Sequence, residues 1–228
     1  MKSPALLTAI AVIMTGCAAI ETPAPAETLA PIPDFKPAPP QTKTQPAEKT
    51  GPVDVYLLPL DDFSADYAAQ MAKTLTKEFG IRVKATLPLG SLRLHAFPGT
   101  QQYAAQDIFE QAGTVMRRLP EGGKHTHFVF LTNRDINARD RNFRFQFSFH
   151  DRDCRCSVVS AARMHQPGDT ATSPAVETRF LKMTKRAIGE MDLGWTRSTD
   201  IKDLMYSPIM SLDDLDALGN RHPPIRSR

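Results

Sequence analysis

From residue 53 onward, apolar residues recur along the chain with two different periods. Alternation of apolar and polar residues over 53–60 predicts a first strand. From Phe63 to Phe79 an apolar residue stands at every fourth position, which is typical of one face of a helix. This helix is predicted to begin near Asp61, a common helix-start residue, and to end at Gly80.

The same two periods continue through the rest of the domain. Alternation predicts further strands over 81–87, 127–132, 143–149 and 157–162, and four-residue spacing predicts helices over 100–119 and 174–192. In 143–149, four phenylalanines alternate with polar residues, which favours an antiparallel edge strand. The order of elements predicts an α/β fold: a three-layer domain with a mixed, mostly parallel five-stranded sheet and an antiparallel edge strand.

The region before the domain has a different composition. Nine of the 19 prolines lie between Pro23 and Pro52, and large apolar residues are rare there. Such a segment buries too little apolar surface to offset the entropy of ordering, so it is predicted to be a disordered, extended tether. The chain therefore divides into a leader (1–16), a tether that starts with a cysteine (17–52), a domain (53–222) and a tail (223–228).

The leader has the features of a targeting segment. Lys2 is followed by a short apolar run over 6–14, which is too short to span a bilayer as a helix. Small residues then precede Cys17, and residues 14–17 (Met-Thr-Gly-Cys) resemble the lipobox of bacterial lipoproteins. The resemblance implies cleavage before Cys17 and attachment of diacylglycerol and a further acyl chain such as palmitate. It predicts an anchor in the outer membrane, with the domain facing the periplasm or the cell surface; the alternative is a plain secretory signal.

The overall charge argues against a nucleic-acid partner. The chain has 28 basic and 25 acidic residues, a formal net charge of +3. A nucleic-acid-binding domain normally has a concentrated basic face instead.

Six segments resemble the archaemetzincin branch of the metzincin zinc peptidases in the same order along the chain. They are residues 55–60, 102–105, 131–136, 158–164, 204–208 and 212–216. The segment 204–208 resembles the family's Met-turn, with Met205 as its methionine. The resemblance implies a metzincin-like fold and an edge strand beside which an extended peptide binds.

The zinc motif of this family is His-Glu-x-x-His-x-x-Gly-x-x-His, in which three histidines bind zinc and the glutamate activates water. Gly194 lies in a Leu-Gly-Trp sequence that resembles the glycine turn of the motif. In this register the ligand positions are Ala187, Met191 and Arg197, and the general-base position is Ile188. None of these side chains has the chemistry of the residue it replaces.

A second register, with Gly189 as the motif glycine, also fails. It places Lys182, Arg186 and Asp192 at the ligand positions and Met183 at the base position. The sequence has no histidine between His165 and His222, so no register supplies three imidazoles. The prediction is a degenerate site with no catalytic residue, no metal ligand and no cofactor; the alternative is zinc on non-standard ligands.

Two other groups of residues leave alternatives open. Cys154 and Cys156 are predicted to form a local disulfide in an oxidising compartment, but they could also be free or bind metal with His150. His125 and His127 form a candidate metal pair, for which the alternative is two surface residues.

Acidic residues near the degenerate motif offer a further candidate. Glu190 and Asp192, with Asp200 and Asp203 after them, could form a carboxylate metal site, although zinc prefers nitrogen and sulfur ligands. The alternative is a set of solvated charges at a helix end and in a loop.

The function predicted from these features is a membrane-anchored envelope lipoprotein with an inactive peptidase-like domain. Its partner would be an extended peptide or an envelope protein, bound by strand addition beside 143–149. The alternative is a zinc-dependent peptidase with non-standard ligands.

Overall fold

The computed structural model describes residues 51–140 and 143–222. The strands are β1 (Val55–Pro59), β2 (Val83–Ala85), β3 (Gln102–Ala104), β4 (His127–Thr132), β5 (Asp135–Asn137), β6 (Ser148–Asp151) and β7 (Cys156–Ser160). The helices are α1 (Ala65–Phe79), α2 (Ala105–Met116), α3 (Pro174–Asp192) and α4 (Leu212–Ala217). The predicted leader, the lipid anchor at Cys17, residues 17–50 of the predicted tether and the tail (223–228) lie outside the described residues. None of the described helices is long and apolar enough to cross a membrane.

Five strands form the main sheet in the order β2-β1-β4-β7-β6. β1 is parallel to β2 and β4, β4 is parallel to β7, and β6 alone is antiparallel. Helices α1 and α3 pack on one face, and α2 packs on the other. The predicted three-layer α/β fold, with a mostly parallel sheet and an antiparallel edge strand, is therefore confirmed.

Central strand β4 is apolar on both faces because helices cover both sides of the sheet. Val129 and Leu131 pack into the layer formed by α1 and α3, while Phe130 points to the α2 layer. The rings of Phe130 and Phe109 lie 5.6 Å apart on that side. A strand covered on both faces needs apolar residues at successive positions, as parallel strands usually do.

Helix α1 begins at Ala65, four residues after the predicted start near Asp61. Ser64 is the N-cap, and its side chain accepts a hydrogen bond from the backbone N–H of Tyr67 (3.2 Å). Asp62 has another role, because its carboxylate accepts bonds from Thr132 Oγ1 (3.0 Å) and Asn133 N (2.9 Å) at the end of β4. Gly80 ends the helix in the left-handed conformation (φ 68°), as predicted.

The predicted edge strand over 143–149 is wrong in its position. The strand that pairs with β7 is β6, and Gln146 instead donates its backbone N–H to Ile136 O of β5 (3.2 Å). Alternation of side chains is the same in any extended segment, so it does not reveal which neighbour the backbone bonds. The short parallel pair β3–β5 was missed for a related reason: the pattern over 100–119 was interpreted as one helix, whereas α2 begins only at Ala105.

Candidate functional site at the end of helix α3

Two positions of the degenerate zinc motif lie in the hydrophobic core. Ala187 and Ile188 are fully buried and belong to the apolar layer between α3, α1 and the sheet. Met191, one turn further along α3, is partly buried. Together they continue the apolar face of the helix, so this part of the motif serves packing.

The chain turns back sharply after α3. Gly194 has a φ of 66°, a left-handed conformation that favours glycine, and it follows the C-cap residue Leu193. Trp195 then packs over Gly189, where an added Cβ would come within 2.0 Å of the indole Cε3 atom. Trp195 N also donates to Gly189 O (2.9 Å). The close approach explains a glycine inside a helix.

The turn places Arg197 at the surface and Met205 in the interior. Arg197 Nη2 lies 2.7 Å from Glu190 Oε2, and half of the Arg197 side chain is exposed. Met205 is fully buried; its carbonyl accepts from Ser198 N (3.0 Å), and its N–H donates to Asp203 Oδ1 (2.8 Å). The methionine-containing turn is thus held by bonds within the protein.

These residues do not fit a zinc ion in the manner of the motif. Ala187 and Ile188 have no donor atom, the thioether of Met191 is a poor zinc ligand, and Arg197 is a cation. Within residues 51–140 and 143–222, no group of three or more His, Cys, Asp or Glu side chains is arranged to hold a metal ion.

Lys182, a ligand position in the second register, is bound to carbonyls. Its Nζ donates to the carbonyl oxygens of Leu215 (3.1 Å), Asp216 (3.1 Å) and Leu218 (2.8 Å). These oxygens lie at the end of α4, where a helix leaves carbonyls without partners. Lys182 is buried, so the three bonds replace the water that its ammonium group has lost.

Two further basic side chains of α3 also bond the segment around and after the Met205 turn. Arg186 donates to Leu204 O next to Met205, and Arg179 Nε lies 2.6 Å from Asp216 Oδ1. Burial, with the nearby charge of Arg197, lowers the pKa of Arg186 to about 10. The hydrogen bond from Arg179 lowers the pKa of Asp216. One face of α3 therefore fastens the C-terminal segment to the domain.

A chain of hydrogen bonds runs from the end of α3 to the edge strand. Asp192 Oδ2 lies 2.6 Å from His127 Nδ1, and His127 Nε2 lies 2.8 Å from Ser157 Oγ. Ser157 Oγ also lies 2.8 Å from His150 Nδ1, and His150 Nε2 lies 3.2 Å from Ser148 Oγ. His127 and Ser157 are fully buried. We call these five residues the imidazole chain.

One assignment of protons satisfies all of these contacts at once. Ionised Asp192 accepts from His127 Nδ1–H, which leaves His127 Nε2 to accept from the Ser157 hydroxyl. Ser157 Oγ then accepts from His150 Nδ1–H, and His150 Nε2 accepts from Ser148. Arg155 Nη2, 2.5 Å from Asp192 Oδ1, neutralises the carboxylate. Every donor in the imidazole chain therefore has an acceptor.

The imidazole chain corrects two expectations. His127 does not form a metal pair with His125, because His125 is exposed and both ring nitrogens of His127 have protein partners. Asp192 is not a solvated charge, since its side chain is 10% exposed and it bonds both His127 and Arg155. A histidine inside an otherwise apolar strand was the available signal for a buried polar network.

A correct prediction of the pairing between β6 and β7 would also have placed His150 next to Ser157 in the imidazole chain. His150 lies directly opposite Ser157 in the antiparallel register. Burial, together with the nearby positive charges of arginines such as Arg197, lowers the pKa of His150 to about 3. His150 is therefore neutral at physiological pH, as the proton assignment requires.

We expect acidification to destabilise the domain through His150. Well above pH 6.5, His150 is neutral in both the folded and the unfolded protein. Below pH 6.5, His150 of the unfolded protein gains a proton, while His150 of the folded protein stays neutral down to about pH 3. Stability is therefore lost as pH falls, by about 2 kcal/mol between about pH 7.5 and about pH 5. Urea unfolding at both pH values measures the loss. The control is His150→Asn, which keeps a hydrogen-bonding group but does not titrate; equal losses in both proteins would contradict the prediction.

Cys154 and Cys156 lie at the turn between β6 and β7. Their sulfur atoms are in contact, and their Cα atoms lie 5.3 Å apart. His150, the suggested third metal ligand, is bonded to Ser148 and Ser157 instead. The local disulfide stays a prediction.

The five-stranded sheet, the α3 turn and the buried Met205 turn define a domain of archaemetzincin-like fold. A zinc-dependent peptidase from Methanocorpusculum labreanum matches with a TM-score of 0.62 and 19% identity, over 75% of this chain and 96% of that chain. The archaemetzincin from Archaeoglobus fulgidus, complexed with malonate, matches with 0.55 and 22% identity, over 75% and 95%. The archaemetzincin from Methanopyrus kandleri matches with 0.56 and 20% identity, over 78% and 93%.

These similarities confirm the fold that the six sequence segments suggested. Comparisons with family models and with curated proteins gave no match. The degenerate motif thus lies on a metzincin-like fold.

Proposed function

We propose that this chain is a membrane-anchored binding module in which a peptidase-like domain no longer cuts peptides. The observation that carries the proposal is the burial of Ala187 and Ile188 in the core, where the motif needs a zinc ligand and a general base. Without a ligand or a base at these positions, the motif cannot activate water in the way of the family.

The edge strand offers a surface for an extended peptide. Phe147 O accepts from Ser160 N of β7 (2.9 Å). In an antiparallel pair the bonding direction alternates, so the backbone groups of Ser148 and His150 point away from β7. The bond from Gln146 N to Ile136 O, on that outer side, agrees with this alternation. An extended peptide can therefore add to the sheet beside β6.

Zinc content tests the loss of catalysis. The full-length chain, purified in detergent and dialysed after exposure to zinc, should retain less than about a tenth of an equivalent by mass spectrometry. The matched variant restores the motif with Ala187→His, Ile188→Glu, Met191→His and Arg197→His. If this variant folds and binds zinc, it shows that the assay detects the site. One equivalent retained by the unmodified chain, with cleavage of peptides, would instead support a zinc-dependent peptidase with non-standard ligands.

A proline substitution tests strand addition. Ser148→Pro removes one outward N–H without removing a bond to β7, whereas Ser148→Ala keeps that N–H. Peptide binding should be lost in Ser148→Pro and retained in Ser148→Ala. Equal binding by both variants would place the peptide elsewhere.

The membrane anchor is tested separately. Cys17→Ser should move the protein from the membrane pellet to the supernatant after cell lysis and should remove the mass of the acyl chains. A variant that stays in the pellet with the mass of the unmodified protein would contradict lipidation at Cys17.

A further inference from the structure

Two arginines share one carboxylate beside edge strand β6. Glu190 Oε2 lies 2.7 Å from Arg197 Nη2, and Glu190 Oε1 lies 3.7 Å from Arg152 Nη2. The side chains of Arg152 and Arg197 are 74% and 51% exposed, while that of Glu190 is 18% exposed. We call these three residues the arginine clamp. One negative charge thus faces two guanidinium groups that solvent can still reach.

The surroundings of the clamp do not restore neutrality. Arg186 lies behind it, close enough that the charge of Arg197 helps burial to lower the pKa of Arg186, while the charges of Glu190 and Asp203 act in the opposite direction. Asp192, the next carboxylate on α3, is bonded to Arg155 and His127 and is not free to pair with the clamp. The clamp therefore keeps an excess of positive charge.

Two acidic residues at the end of β6 and in the turn after it do not neutralise the clamp. Asp151 is the last residue of β6 and follows His150, so strand alternation directs its side chain to the face opposite that of His150. Its Oδ1 accepts from the backbone N–H of Asp153 (2.8 Å). Asp153 is exposed to solvent, where water and salt screen its charge.

The clamp lies where a peptide added to β6 would pass. Ser148 and His150 occupy alternate positions of β6, so their side chains share the face of the sheet that is turned toward α3. The contacts of His150 in the imidazole chain agree with this placement. Arg152 follows in the turn, and its contact with Glu190 places it on the same side. A peptide that pairs with the outward backbone of β6 therefore reaches the two guanidinium groups with its own side chains or its terminus.

We propose that the bound peptide is acidic and that one of its carboxylates lies between Arg152 and Arg197. The inference rests on the proposed function, because it names the chemistry of the peptide that β6 binds. A planar guanidinium group binds a carboxylate through two parallel hydrogen bonds, and two such groups offer more donors than Glu190 alone can accept. The carboxylate comes from an Asp or Glu side chain or from the peptide's C-terminus.

Fluorescence polarisation with defined probes tests the inference on the full-length chain in detergent. The probes are labelled peptides of about seven residues in which Thr and Val alternate, with Glu or Gln at the centre and a free or amidated C-terminus. Binding of the Glu probe is expected to be about tenfold tighter than that of the Gln probe if a side-chain carboxylate is recognised. A preference of the same size for the free over the amidated terminus would identify the terminal carboxylate instead.

Substitutions link this preference to the clamp. In the double variant Arg152→Gln and Arg197→Gln, the preference for a carboxylate should disappear while the Gln probe with an amidated terminus binds as before. The control Arg139→Gln removes a half-exposed arginine that pairs with α2 and should leave the preference unchanged. Thermal unfolding of each variant shows whether it has folded.

The outcomes separate the two proposals. If all probes bind equally and Ser148→Pro abolishes binding, strand addition stands and the acidic preference is wrong. A carboxylate preference that survives the double variant also overturns the role of the clamp. If no probe binds to the unmodified protein, both the acidic preference and binding at β6 are refuted.

Discussion

Replacing Asp192 with alanine is expected to lower the free energy of unfolding by about 3–4 kcal/mol. The carboxylate bonds His127 Nδ1 (2.6 Å) and Arg155 Nη2 (2.5 Å), and its side chain is 10% exposed. Without it, a buried imidazole N–H loses its acceptor and a guanidinium group loses its counter-charge, and each loss carries a desolvation penalty. Urea unfolding at neutral pH measures the change.

Glu190→Ala is the matched control for this prediction. Glu190 lies two residues earlier on α3 and also has two side-chain partners, but both are arginines that are more than half exposed. Exposed ion pairs contribute little to stability, so the loss should be below about 1 kcal/mol. A similar loss of unfolding free energy in both variants would show that the bonds of Asp192 stabilise the end of α3 no more than the exposed ion pairs of Glu190 do.

Replacing Lys182 with methionine is expected to cost about 3–5 kcal/mol, because three carbonyl oxygens lose a charged donor at once. The substitution keeps the length and the apolar stem of the side chain, so the main loss is the ammonium group. The oxygens of Leu215, Asp216 and Leu218 then lose this donor, and Leu215 and Leu218 are buried where water reaches poorly. Thermal or urea unfolding measures the overall change.

Limited proteolysis distinguishes a local effect of Lys182→Met from a general one. Cleavage between α4 and residue 222 should become faster than cleavage in α1, because Lys182 fastens the C-terminal segment. Lys73→Met is the control, since Lys73 is exposed on α1 and the substitution should leave both rates unchanged. A Lys182→Met variant as stable as the unmodified protein would mean that water replaces the ammonium group without cost.

Long elements with one clear period were predicted well from the sequence. β4 was predicted at its observed bounds, and α3 begins at Pro174 after the N-cap residue Ser173, as proline and serine indicate. Short elements were not: β3 has three residues, too few to show a period, and it runs directly into α2. The position of β6 depended on which neighbour the extended chain after Phe143 bonds, and side-chain pattern does not carry that information.

The candidate site also has one part that the sequence could predict and one part that it could not. The lack of zinc-motif chemistry at Ala187, Ile188, Met191 and Arg197 could be predicted because a motif is a local spacing of residue types. The imidazole chain could not, because Asp192 and His127 are 65 residues apart and meet only through the packing of α3 on β4. Such contacts depend on the tertiary structure, which a single sequence does not specify position by position.

The turn around Met205 is held by hydrogen bonds to its main-chain atoms, which every residue type has. Arg186 bonds a main-chain oxygen, and Asp203 bonds the main-chain N–H of Met205 (2.8 Å). In proteins whose metal site is structural, the free energy of binding the ion is part of the free energy of folding. Here arginine and aspartate hold the turn with the protein's own groups. Under the proposed function, the domain therefore folds without drawing on the metal supply of its compartment.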